Sequence, residues 1–354
     1  MLLRSTIFIL CLSIVLAPSA AWLVHTSSAF WLAGDPGASI NSKNADCKRV
    51  QRPQTMSLSS VHQSSEDTSS GQQQRQQQRK LPLRQETVIR LAESGKEVTL
   101  ISRTVPIFPN TSITVWEWKN SATVVNAYWE AQGRQVMATV GSPQKPMLDP
   151  FGLVSWPGSV LAARELYKHA ETAVANRNVV ILGAGVGLET QAAAMLGPKR
   201  VVATDIHPTT LRQLELGVSR NEQIQTNGIV ETQILDLFRT KKEQPVPSPC
   251  DLLVVADVLY SEQLASQVCR RCAEALEANP QIRILITDSQ RFVPGFLHEL
   301  NKALQAVVST LGARKQFPKA AWRKETMKSF EGSGVIIDED QTYDVTVQSL
   351  WIGL

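Results

Sequence analysis

The chain has 354 residues, 43% of them hydrophobic and 19% charged, a globular balance that excludes wholesale disorder, collagen-like repeats and a long coiled coil. Its net charge of +4 lies entirely in the first quarter: residues 1–84 hold 9 Lys/Arg against 4 Asp/Glu, and residues 85–354 hold 27 against 28. The body lacks the basic surplus that a nucleic-acid footprint requires, so no nucleic-acid partner is expected.

Arg4 precedes the apolar run from Ile7 to Ala17. That run is too short for a bilayer-spanning helix, which takes about 20 residues. A basic start, a short apolar core and then small residues make a signal-peptide layout over residues 1–29. Ser19-x-Ala21 and Ser27-x-Ala29 both fit a small-x-small cleavage site. No stable membrane span is expected in the mature chain. Residues 30–84 are rich in Ser, Gln and Arg and have no apolar periodicity after Trp31, so a disordered, transit-like segment is expected. A signal peptide followed by such a segment is similar to the two-part plastid presequence of algae with secondary plastids. Ser27-Ser28-Ala29-Phe30 resembles the cleavage motif of that class. The resemblance implies a plastid address, with the secretory pathway as the alternative.

Residues 85–150 read as a β-rich extension. Val98–Ile101, Ile113–Trp118 and Val136–Val140 are short β-branched or aromatic runs set between Gly, Pro and Asn. From Trp156 onward strands and helices alternate. A helix over Val160–Ala173, entered at Pro157, precedes a strand over Asn178–Leu182. A helix over Leu188–Leu196, a strand over Arg200–Thr204, a helix over Pro208–Asn221 and a strand over Ile229–Leu235 follow. After a proline-rich loop come a strand over Asp251–Ala256, a helix over Glu262–Ala278, a strand over Arg283–Thr287 and a helix over Pro294–Leu311. Gly334–Asp338 and Tyr343–Trp351 alternate as a closing hairpin. Near-continuous apolar strands alternating with helices predict a doubly wound, mostly parallel α/β sheet over residues 151–354. Its ligands bind beyond the carboxyl ends of the strands.

Five cysteines in this length do not make a disulfide framework. Cys269-Arg270-Arg271-Cys272 falls inside a helical pattern, where a redox pair would not sit, and no metal-ligand spacing occurs. Candidate chemistry concentrates at the strand ends instead. Gly183-Ala184-Gly185-Val186-Gly187 turns the first parallel strand toward its helix with spacing GxGxG, not the GxGxxG dinucleotide fingerprint. Asp205 ends the second strand 22 residues after Gly183, where a carboxylate can accept from two ribose hydroxyls. Asp236 ends the third strand and can meet an adenine amino group. Together they suggest a ligand with adenine and ribose but no pyrophosphate.

Trp156-Pro157, Ile181 to Leu188, Asp205, Asn221, Leu235-Asp236 and Asp257-Val258-Leu259-Tyr260 occur in that order. This pattern resembles the family 16 seven-β-strand S-adenosylmethionine methyltransferases, the group that includes protein-lysine methyltransferases. The resemblance implies a Rossmann-like seven-stranded sheet with a C-terminal antiparallel hairpin, S-adenosylmethionine as cofactor and a protein substrate. It places Gly183, Ala184, Gly185 and Gly187 under the methionine end of the cofactor and Asp205 on the ribose. Asp236 and Leu237 would flank the adenine, and Trp156 would line the cleft. Asp257 and Tyr260 would stand at the mouth where the acceptor amine enters. A small-molecule N-methyltransferase and a non-catalytic binding protein are the alternatives. Two positions depart from the family pattern: Ile181 stands where Glu is common, and Leu237 where Trp is favoured.

Overall fold

The protein is described here from a computed structural model covering residues 84–90, 95–121, 150–225, 229–289, 294–310, 320–331 and 342–354. The predicted strands Val136–Val140 and Gly334–Asp338 lie outside the described residues. Three antiparallel strands, β1 (Glu86–Arg90), β2 (Glu97–Phe108) and β3 (Thr111–Trp118), form an N-terminal sheet in the order β1-β2-β3.

The second sheet has seven strands: β4 (Asn178–Leu182), β5 (Arg200–Asp205), β6 (Val230–Ile234), β7 (Leu252–Ala256), β8 (Arg283–Ser289), β9 (Arg323–Glu331) and β10 (Thr342–Ile352). Their order is β6-β5-β4-β7-β8-β10-β9. The five strands from β6 to β8 run parallel, and β10 and β9 close one edge antiparallel. The expected mostly parallel, doubly wound sheet is therefore observed. Parallel strands buried on both faces need apolar residues at every position, not alternate ones. NVVIL of β4 and LLVVA of β7 satisfy this.

Successive side chains of a strand point to opposite faces, and β4 divides accordingly. Val179 and Ile181 join one core with Leu161 of α1 (Pro157–Lys168), Ala192 of α2 (Leu188–Ala194) and Leu214 of α3 (Pro208–Ser219). Val180 and Leu182 join the other with Val268 of α4 (Glu262–Ala278) and Leu300 of α5 (Phe296–Thr310). The chain winds from β4 to β5 on one side, then crosses after β6 to β7 on the other. The crevice at the carboxyl ends of β4 and β7 is thus the switch point where such folds bind ligands.

Polar side chains tie the N-terminal sheet to this frame. Glu117 of β3 pairs with Arg103 of β2 at 2.8 Å and accepts the backbone N–H of Ser155 at 2.9 Å, both inside the protein. The Gln191 amide of α2 donates to the Thr114 carbonyl at 3.0 Å. Residues 85–121 therefore fold with the larger sheet as part of one compact unit.

Two elements differ from expectation. The strand paired with the outer side of β10 is Arg323–Glu331, not Gly334–Asp338. Of its sequence, RKETMKSFE, the described side chains bury only Met327 and Phe330. Charge is what an exposed sheet edge carries to avoid pairing with other chains, so β9 hides from an apolar search. The first helix ends at Lys168, and a wide π turn over Ala170–Val174 completes the predicted span.

Candidate functional site

The glycine turn begins where β4 ends. Gly185 has φ 51 and Gly187 φ 85, in the left-handed region that favours glycine. A Cβ at Gly185 would meet nothing closer than the Gly152 carbonyl oxygen at 3.5 Å, so backbone is presented openly to a ligand. A Cβ at Gly187 would lie 2.5 Å from Leu214 Cγ. That third glycine serves helix packing.

A cavity of about 260 Å³ opens at the switch point. Trp156, Gly183, Gly185, Asp205, Asp236, Leu237, Asp257 and Tyr260 all line it. Eight of the ten residues read from the sequence thus converge on one space. Ala184 and Gly187 do not line it. The Ala184 N–H donates to the Thr204 carbonyl at 2.9 Å, and Gly187 begins α2 against Leu214.

Each acid is held differently. Asp205 Oδ2 accepts the Gly185 N–H at 3.1 Å and Oδ1 the His207 N–H at 2.9 Å. The cap of α3 is His207, whose Nδ1 accepts the Thr209 N–H at 3.2 Å. Asp236 Oδ1 accepts the Phe238 N–H at 2.9 Å, and Oδ2 lies 3.6 Å from Arg239 Nε. Asp257 is the most enclosed of the three. Oδ1 accepts the Ser289 N–H at 2.7 Å and the Ser289 hydroxyl at 2.8 Å, while Oδ2 accepts the Gly158 N–H. One carboxylate therefore joins the end of β8 to the first turn of α1. The cap of α4 is Ser261, whose hydroxyl accepts the Leu264 N–H at 3.2 Å.

Several contributors are absent from the sequence reading. Phe151 packs edge-on against Trp156 and Tyr260, with ring centroids 6.1 and 5.1 Å away, and its carbonyl accepts the Trp156 indole N–H at 2.7 Å. Phe238 lines the cavity next to Leu237 while 55% exposed. It brings an aromatic ring one residue beyond the position where the family favours Trp. Its signal was its place directly after Leu235-Asp236-Leu237. Arg271, fully buried in α4, donates to the carbonyls of Asp236 at 3.0 Å, Arg239 at 2.7 Å and Gln244 at 2.7 Å, and pairs with Glu274 at 2.9 Å. This guanidinium fixes the loop that carries Asp236 and Leu237.

The cysteines beside Arg271 face the core. Burial pushes the Cys269 thiol up to about 12 and the Cys272 thiol higher still, so neither is a ready thiolate.

Fold and site together define a doubly wound cofactor-binding protein, with a glycine turn and three strand-end acids around one cleft. A sequence model described as lysine methyltransferase matches residues 144–347, more than half of the chain, and the chain belongs to that family. The resemblance read from the motifs is thereby borne out. The chain is 30% identical over 167 residues to the electron transfer flavoprotein beta subunit lysine methyltransferase of Homo sapiens, across 46% of this chain and 58% of that protein. It is 27% identical over 179 residues to the protein-lysine methyltransferase METTL21E of Mus musculus, across 48% of this chain and 70% of that protein. The match thus spans little more than half the length of the human relative. Among solved structures, a precorrin 8w decarboxylase of Methanobacterium thermoautotrophicum aligns with TM-score 0.38 and 18% identity over 57% of this chain and 94% of that one.

Proposed function

We propose that this chain is an S-adenosylmethionine-dependent N-methyltransferase whose acceptor is a protein lysine side chain. The observation that carries this reading is the convergence of Asp205, Asp236 and Asp257, from three successive strand ends, on one glycine-floored cleft in a chain of the lysine methyltransferase family. The residues present fit the donor. Gly185 leaves its backbone open to close approach, and the acids favour a ligand with hydroxyl and amino donors and a positive charge.

The bound donor supplies the electrophilic methyl group. Asp205 would hold the ribose hydroxyls, and Asp236 and Leu237 would flank the adenine. Gly183 and Gly185 would pass beneath the methionine end, with Ala184 and Gly187 shaping their turn. Trp156 would close the cleft near the reacting end. Asp257 and Tyr260 face the incoming amine. An ordinary lysine has a pKa near 10.4 and must lose its proton before it can attack. Enclosure by Trp156, Phe151 and Tyr260 disfavours the charged ammonium. Asp257 orients the amine and its proton leaves to water. Its carboxylate is fixed by backbone donors, so the amine meets a preset direction, which in-line transfer requires.

Calorimetric titration of the full chain with S-adenosylhomocysteine and, separately, NADH tests the donor. Binding of the first alone, lost in Asp205→Ala, is expected; binding of NADH instead would overturn the reading. Labelled methyl donor then tests the acceptor. Label retained with protein supports a lysine acceptor, and label only in low-mass product refutes it. Residues 1–84 are proposed as a plastid-type presequence, a signal peptide over residues 1–29 followed by a transit-like segment. A fluorescent fusion of that segment that stays in the secretory pathway would refute it.

A further inference from the structure

Glu189 is the second residue of α2, immediately past the glycine turn. Only 1% of it is exposed, and neither carboxyl oxygen completes a hydrogen bond of good geometry among the described residues, the Ser159 side chain being the polar group that acts on it. Burial opposes its ionisation most strongly. Its own N–H and the Ser159 side chain favour the carboxylate, whereas Asp257 and Asp205, the charged groups acting on it, oppose it. The net result pushes the carboxyl up to about 8. An acid in the first turn of a helix ordinarily gains from the N-terminal dipole, so the resistance here is substantial. Ser159, Asp205 and Asp257 all line the cleft, and all three act on Glu189. A buried carboxyl held so weakly costs stability.

We propose that Glu189 is a positioning residue that receives the cationic methionine end of the methyl donor through Ser159 at the cleft wall. This rests on the donor reading above. On binding, Glu189 releases its proton to solvent, and the resulting carboxylate, the Ser159 hydroxyl and the cationic group form one charge-assisted chain. No bond of the ligand breaks.

The test is calorimetric titration of the full chain and of Glu189→Gln, at pH 7 in buffers of different ionisation enthalpy. The ligands are S-adenosylmethionine, S-adenosylhomocysteine and methylthioadenosine. With a free carboxyl at about 8, the unsubstituted chain should release about one proton more per ligand than Glu189→Gln. The variant should bind S-adenosylmethionine about tenfold more weakly, the loss of one charge-assisted hydrogen bond. Methylthioadenosine, which has neither ammonium nor sulfonium, should show no difference. A difference with both charged ligands assigns the ammonium, and one with S-adenosylmethionine alone assigns the sulfonium. Equal proton release and affinity in the two proteins would overturn the role of Glu189 and leave the donor reading intact. Failure of every ligand to bind the unsubstituted chain would overturn both.

A thermal melt keeps the variant interpretable. Unfolded Glu ionises near 4.5, while the folded group stays protonated to about 8. Ligand-free stability should therefore fall as pH rises between those values and level off above them. Glu189→Gln should abolish that fall and melt higher than the unsubstituted chain at pH 8. A variant that melts lower at pH 8 would contradict the strained carboxyl on which the proposal stands.

Discussion

Asp257→Ala is the obvious test of the acid at the cleft mouth, and the structure predicts that it will damage more than chemistry. Three donors converge on this carboxylate: the Gly158 N–H, the Ser289 N–H at 2.7 Å and the Ser289 hydroxyl at 2.8 Å. The hydroxyl can rotate to another acceptor, but the two backbone donors are fixed by α1 and β8. Leaving a buried donor unsatisfied costs about 1–3 kcal/mol, so the pair costs roughly 2–6 kcal/mol by the same rule. A domain has about 5–15 kcal/mol in all, so the variant spends much of its margin. Asp257→Asn keeps one acceptor oxygen and should lose about half as much, roughly 1–3 kcal/mol. Urea denaturation of the full chain measures both, with S-adenosylhomocysteine titration at a temperature where each variant is folded. An Asp257→Ala protein within about 0.5 kcal/mol of the unsubstituted chain, a change typical of neutral surface sites, would refute the bracing role. Turnover is therefore best read in Asp257→Asn, where lost transfer with retained donor binding isolates the chemical contribution.

Arg271→Met should destabilise by roughly 3–5 kcal/mol, because it breaks a buried ion pair and frees the carbonyls of Asp236, Arg239 and Gln244; Arg270→Met, on the less buried neighbour that donates to the Leu237 and Arg239 carbonyls, should cost less in the same urea titration. In proteins still folded, Arg271→Met should also weaken adenosine binding, since the loop bearing Asp236 and Leu237 loses one of its two arginine clamps. Gly187→Ala combines φ 85 with a Cβ 2.5 Å from Leu214 Cγ and should lower the melting temperature far more than Gly197→Ala, where φ is 68 but the space is open; equal shifts would show that Leu214 yields freely. Burial raises the Glu165 carboxyl, but hydrogen bonds from Lys168 and Trp351 and the charges of Lys168 and Arg323 outweigh it, so the net shift is downward. Its stabilising share is full above the unfolded value and lost as pH falls through the lower folded one, so Glu165→Gln should flatten acid unfolding followed by circular dichroism.

What was legible in the sequence follows from how local each signal is. The parallel strands announce themselves because burial on two faces demands unbroken apolar runs, as in NVVIL and LLVVA. The strand-end acids are legible for a related reason: once a strand is located, its carboxyl end is located, and Asp205, Asp236 and Asp257 are read off directly. Side chains whose surroundings come from distant segments escape such a search. Arg270 and Arg271 are identical neighbours in one helix, yet only Arg271 is fully buried, and the carbonyls it holds lie 27 to 35 residues away. Glu189 is a sharper case. An acid in a first helical turn ordinarily faces solvent and the helix dipole, and nothing local distinguishes this one. Its environment is assembled from Ser159 on α1, Asp205 at the end of β5 and Asp257 after β7. Ile181 reads, position by position, as a missing carboxylate. The fold instead supplies a buried carboxyl eight residues later, on the opposite side of the same glycine turn. A substitution within a motif therefore measures a loss only at its own backbone position. Whether the site has lost its charge is decided by every element that packs against the turn.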